Sequence, residues 1–232
     1  MRQYRRSVFT ILALAWCVVG ISQVSASEKR PNVLLVMADD MGWTDIGSFG
    51  SEIKTPNLDA LAKRGVSFTD FHVSVACSPT RSMLLSGNDN HVAGLGNMGE
   101  MLTEDQKGKP GYEGYLNDRV VSLAEVLRAD DYHTYMAGKW HLGHTRGTLP
   151  RDRGFERSFS LLVGGASHWS DMRGIHPKDD PAKYSRDGKE LDKLPADFYS
   201  SRSYADFLMD AIRENRSDGK PFLAYLIFYR SA

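Results

Sequence analysis

Residues 31–38, Pro-Asn-Val-Leu-Leu-Val-Met-Ala, form an almost unbroken apolar run rich in branched side chains. This run constrains the fold more than any other stretch, because it offers water no polar face. It suits a strand covered on both sides, and such strands belong to parallel sheets with helices packed against each face. The rest of the chain repeats the theme. Residues 56–64 read as a helix, with Thr55 as cap, Pro56 at the first position and Gly65 as stop. Residues 66–75, which include Phe68 and Phe71, read as a second strand. A helix over 121–129, a strand over 132–137 and a short strand over 159–163 follow. Residues 202–215 are amphipathic, placing Tyr204, Phe207, Leu208, Ala211 and Ile212 on one face, and 222–229 read as a further buried strand. Segments 97–118 and 171–195, rich in glycine and polar residues, read as loops. The alternation predicts an α/β fold with a mostly parallel central sheet flanked by helices.

The ends of the chain differ from its middle. Arg2, Arg5 and Arg6 precede an apolar run over 8–21, and Val24-Ser25-Ala26 supplies small residues for cleavage. Residues 1–26 therefore read as a secretory signal peptide, too short and wrongly flanked for a membrane span. The expectation is an exported protein, periplasmic or secreted, without a stable membrane anchor; the Arg5-Arg6 pair leaves the Sec and Tat routes both open. Cleavage after Ala26 removes three arginines and no acid, so the formal charge falls from 0 to −3. No basic excess points to a nucleic-acid partner. Of the two cysteines, Cys17 leaves with the signal, which makes Cys77 the single thiol of an exported chain.

Cys77 opens the stretch Cys-Ser-Pro-Thr-Arg-Ser-Met-Leu-Leu-Ser-Gly. Pro79 suits a first helical turn, Ser78 can cap the free amides, and Gly87 supplies a stop. Cys77 is then expected just before the positive end of a short helix, where anions are stabilised. Arg81, about one turn on, can lean back toward it. Read alone, the same pattern also fits a helix-cap cysteine with no chemistry. Asp39 and Asp40, directly after the first strand, are either a turn-capping pair or half of a hard-cation site. They lie beyond a strand's carboxyl end, where open α/β sheets place their ligands. Lys139 and His141 are two positions apart and project to one side of an extended segment. They fit either an anion-binding lysine with a proton-moving histidine, or a solvated lysine with a structural histidine. His91 reads as a packing or supporting residue, and His72, His133, His144 and His176 as structural or surface residues. His168-Trp169 could line a substrate mouth after Gly164-Gly165.

Cys77 through Asn88 resembles the sulfatase signature, Cys-x-Pro-x-Arg followed by a glycine-terminated helix, and Gly138-Lys139-Trp140-His141-Leu142-Gly143 resembles the second signature of that family. The resemblance runs from residue 31 to 229 and is close to bacterial arylsulfatases. It implies an alkaline phosphatase/sulfatase-like fold that is incomplete, with residues 27–232 as the N-terminal part of a truncated catalytic domain. It implies conversion of Cys77 to formylglycine by a formylglycine-generating enzyme, the aldehyde hydrate acting as nucleophile. Asp39, Asp40 and residue 77 would bind a divalent metal, usually calcium. Lys139 would bind the sulfate group, His141 would contact the hydrate and assist its breakdown, and Arg81 would hold the formylglycine side chain and the metal-site geometry. The implied substrate is a small sulfate ester, aryl by default, with carbohydrate sulfates also open. The resemblance further implies that a leaving-group histidine, a second metal-ligand pair and a second lysine lie beyond residue 232, so that this chain alone is expected to be inactive. The rival expectations are a phosphatase or phosphonate monoester hydrolase of the same superfamily, and a non-catalytic exported fragment.

Overall fold

The computed structural model describes residues 29–176 and 179–229. The signal-peptide expectation lies outside the described residues, as do the last three positions. The compact body begins at Asn32.

Its centre is a six-stranded sheet in the order β1-β6-β2-β3-β4-β5. Strand β1 (Val33–Ala38) pairs in parallel with β6 (Phe222–Phe228), which pairs in parallel with β2 (His133–Lys139), and β2 with β3 (Arg157–Leu161). The short strands β4 (Tyr184–Arg186) and β5 (Lys189–Leu191) continue the sheet antiparallel. Four helices accompany them among the described residues: α1 (Pro56–Arg64), α2 (Cys77–Ser86), α3 (Leu123–Ala129) and α4 (Ser200–Asn215). The expected mostly parallel α/β sheet is what forms.

Alternation along the parallel strands builds a core on each face. Tyr135, Ala137, Phe159, Leu161 and Ala224 point to one side, where α4 covers them with Tyr204, Phe207, Leu208 and Ala211. Met136, Leu223, Tyr225 and Ile227 point to the other, packing with Leu85 of α2, Ala124 of α3, Trp140 and Phe155. Sequence neighbours on β2 thus serve opposite cores, as the two-residue period of a strand requires.

Helix α3 begins with a reciprocal cap. Ser122 Oγ accepts from Glu125 N at 3.1 Å, and Ser122 N donates to the Glu125 carboxylate at 2.7 Å. Helix α2 ends at Gly87, whose φ of 64° turns the chain out of the helix while its N–H donates to Met83 O at 2.8 Å.

Two expectations are corrected. Residues 66–75 form no strand: their alternating apolar pattern meets no ladder partner, and Phe68, Phe71, Val73 and Val75 are exposed. A strand needs a neighbour for its backbone as well as a pattern for its side chains. The span 171–195 is not all loop, because β4 and β5 form a hairpin there. Its turn is Asp187-Gly188, both with positive φ (50° and 81°), the conformation a two-residue hairpin loop needs.

Candidate active site

The carboxyl ends of β1 and β2 and the first turn of α2 converge on one cleft of about 320 Å³. Asp39 and Asp40 leave the end of β1. Asp40 takes a left-handed φ of 56°, an uncommon geometry for a non-glycine residue, and both aspartates line the cleft. Lys139 is the last residue of β2. Trp140 turns inward, packs edge-on against Phe155 and donates its indole N–H to Thr148 O at 2.9 Å. With Trp140 anchored in the core, Lys139 and His141 share the cleft wall. His141 reaches it through a φ of 56° rather than by strand alternation alone.

Helix α2 starts two residues earlier than its sequence suggests. Ala76 is the extended residue before it and Cys77 is the first helical residue, so Cys77 lies within the helix and not ahead of it. Ser78 is not the cap: it is buried, and its hydroxyl has no hydrogen-bond partner. Pro79 then falls third in the helix, still in the first turn, where a missing N–H is harmless.

Arg81 is 1% exposed and does more than lean toward Cys77. Its Nη1 donates to Lys139 O at 2.9 Å, and its Nη2 lies 3.2 Å from Asp39 Oδ1. Lys139 Nζ donates to the other oxygen of Asp39 at 2.6 Å. Burial pushes the Asp39 carboxyl pKa up, but Arg81 and Lys139 outweigh it and hold the group below its ordinary value. Cys77 goes the other way. Burial pushes its thiol up, Asp39 adds to this, and Lys139 and Arg81 offset it only in part. As a thiol, Cys77 is therefore a poor nucleophile, since the thiolate is the reactive form.

One ligand atom from each of Asp39, Asp40 and Cys77 lies within 4.8 Å of the others. Two carboxylates are the hard oxygen donors that calcium and magnesium select, whereas a thiol sulfur is not. The two carboxylates fit a hard divalent cation and supply part of the oxygen shell one needs, to which the thiol sulfur adds nothing.

All six sequence-predicted site residues are thus brought together: five line the cleft, and Arg81 lies buried beneath it, bridging two of them. His168 does not join them. Its Nδ1 meets Ser200 Oγ at 2.6 Å and its ring stacks on Tyr229 beside a separate hollow. His91 packs edge-on against Tyr112, a supporting role. Met98, Glu100 and Ile175 of the cleft wall have no signal in the sequence reading, and His176, read there as a structural or surface residue, lines the cleft as well. Glu100 Oε1 lies 2.8 Å from His141 Nε2, within hydrogen-bonding distance.

The Sulfatase family model matches residues 31–231. An uncharacterized sulfatase of Schizosaccharomyces pombe is 50% identical over 211 residues, which cover 88% of this chain and 38% of that protein. An arylsulfatase of Klebsiella aerogenes is 43% identical over 210 residues, covering 88% of this chain and 43% of its own length. Among solved structures, the crystal structure of Ps i-CgsB superposes with a TM-score of 0.72 at 27% identity, over 86% of this chain and 45% of that one. The chain thus spans less than half the length of these relatives. On the match across nearly all of its body, this chain belongs to the sulfatase family.

Proposed function

We propose that the cleft is the N-terminal portion of a sulfuric ester hydrolase site of arylsulfatase type, working through a formylglycine made from Cys77. One observation carries this reading: Cys77, in the first turn of α2, shares a 4.8 Å cluster with two aspartates, while a buried lysine and arginine clamp one of those aspartates. The raised thiol pKa supports it too, because burial disfavours the thiolate that a cysteine nucleophile needs. Conversion of the side chain to a hydrated aldehyde replaces sulfur by oxygen at the same place.

Asp39, Asp40 and residue 77 would hold a divalent cation, calcium in our reading, and a cation bound there supplies Lewis-acid polarisation of an oxygen. The protein's own groups divide the remaining work. Lys139 offers a cation to sulfate oxygens, as charge spread over an oxyanion requires. His141 accepts and returns a proton at a ring nitrogen. Arg81 keeps Asp39 ionised and fixes the carboxylate against the end of β2. The substrate class we propose is a small sulfate ester, aryl by default. Carbohydrate sulfates are the second candidate, since Ps i-CgsB was also solved in complex with k-i-k-neocarrahexaose. A formylglycine-generating enzyme is the implied modifying partner, and export through the leader of residues 1–26 is the implied route. No helix among the described residues is long and apolar enough to cross a membrane.

Mass spectrometry of tryptic peptide 65–81 tests the reading directly. Replacing sulfur and two hydrogens by one oxygen lowers the mass by about 18 Da, whereas the sulfenic, sulfinic and sulfonic acids of ordinary cysteine oxidation keep the sulfur and gain mass. An intact thiol in a preparation that desulfates normally overturns it. Assay of aryl sulfate against aryl phosphate separates the superfamily alternative, and dominant phosphate turnover would replace sulfatase by phosphatase.

A further inference from the structure

Glu100 belongs to neither signature stretch, yet among the described residues it is the hydrogen-bond partner of the His141 ring. Its Oε1 lies 2.8 Å from His141 Nε2, and the two side chains are 19% and 8% exposed. An ionised carboxylate has only acceptor oxygens, so Nε2 must carry the proton in this contact. Nδ1 is buried and has no hydrogen-bond partner. In the neutral ring Nδ1 is then the nitrogen with the free lone pair.

The surroundings fix this contact. Gly164 packs over it: a Cβ there would lie 3.1 Å from Glu100 Oε1, 3.2 Å from His141 Cε1 and 3.3 Å from His141 Nε2. Glu100 itself sits in a short 3-10 turn, Gly99–Met101. Asn97 Nδ2 donates to Met101 O at 3.0 Å across that turn, and a Cβ at Gly99 would come within 3.2 Å of Gly114 O. The carboxylate is held on a pinned loop. His141 meanwhile has a left-handed backbone, a conformation kept only where surrounding contacts enforce it.

We propose that Glu100 is a positioning residue for His141, fixing the ring's rotation and holding its proton on Nε2 so that Nδ1 is the base. This deepens, and rests on, the reading of His141 as the proton-moving group of the cleft. Glu100 touches no reacting atom; it acts through the imidazole, as carboxylates do behind working histidines elsewhere.

Nitrogen-15 NMR of the neutral imidazole rings in the full chain tests the proposal without any assay of turnover. The expected result is a slowly exchanging N–H on Nε2 of His141 and an unprotonated Nδ1. Glu100→Gln, which keeps an acceptor oxygen, should retain the N–H signal with faster exchange. Glu100→Ala should lose its protection, by ~10-fold or more in exchange rate, while the backbone amide spectrum stays dispersed. If Glu100→Ala fails to fold, wild type and Glu100→Gln carry the comparison. A proton on Nδ1 in the wild type overturns the proposal, as does an Nε2 proton whose exchange is unchanged in either variant. The outcome is independent of formylglycine and of sulfate ester turnover, so a failed sulfatase reading would leave this signal where it is.

Discussion

Asp39 is the residue on which the cleft's charge balance turns, because it pairs with two buried cations, Arg81 and Lys139, and lines the cleft beside Asp40. Asp39→Asn and Asp40→Asn should each weaken calcium binding by ~10-fold or more, as loss of a charged oxygen ligand does; isothermal titration of the purified chain measures it. Lys139→Met removes a cation from the anion's side of the cleft. In a preparation with measurable aryl sulfate turnover it should lower kcat by ~10²-fold, the usual loss for one oxyanion partner, and leave calcium binding intact. A parallel loss of both would mean that Lys139 builds the site and does not act in it. Asp39, Asp40, Cys77, Arg81, Lys139 and His141 are legible in the sequence because each sits in a short motif at a strand end or a helix start. Glu100 is not, because its place is set by contacts between a glycine-rich loop and Gly164, sixty-four positions on.

The elements were readable wherever local pattern and tertiary partner agree. Strands β1, β2 and β6, and helices α1 and α4, follow from apolar runs and from proline and glycine punctuation, with shifts of one or two residues at their ends. The hairpin of β4 and β5 was announced by Asp187-Gly188, but strands of three residues carry too little period to register. Residues 66–75 failed in the opposite way: the pattern was present and the backbone partner was not. Gly138 shows how tightly two strands can depend on one missing side chain. It has a φ of 114° on β2, and a Cβ there would fall 1.9 Å from Ile227 O on the neighbouring β6. Gly138→Ala must displace backbone rather than a side chain, and should cost at least ~3 kcal/mol. Urea denaturation gives the number, and a loss below about 1 kcal/mol would show that β6 yields freely.

Across the molecule, His133 ties three distant segments at the end of the sheet opposite the cleft. Its Nδ1 meets Glu156 at 2.8 Å and its Nε2 meets Asp218 at 2.6 Å. Burial lowers its pKa, but Asp218 and Glu156 outweigh that and leave it raised from 6.5. A raised folded value means stability that is fully present below about pH 6.5 and fades as pH rises through the folded pKa. His133→Asn should therefore be less stable than wild type at about pH 5.5 and approach it by about pH 8.5 in urea titrations. An offset that is equal at both would leave packing, not charge, as the cause. On another part of the surface, Phe68 and Phe71 lean together with ring centres 6.4 Å apart, and Phe71 is 72% exposed. Exposed apolar clusters favour self-association. Phe71→Ser should reduce concentration-dependent light scattering and shift stability by less than about 0.5 kcal/mol. Arg81 has a reach that matters at this scale as well. Strands β1 and β2 are not neighbours, since β6 runs between them, so the two strand ends it grips stand about 10 Å apart, two strand spacings. A forked, planar cation can act as a caliper across that gap, whereas lysine in its place could hold only one jaw. With Arg81→Lys, the bond from Lys139 Nζ to Asp39 would be the tie left across that gap.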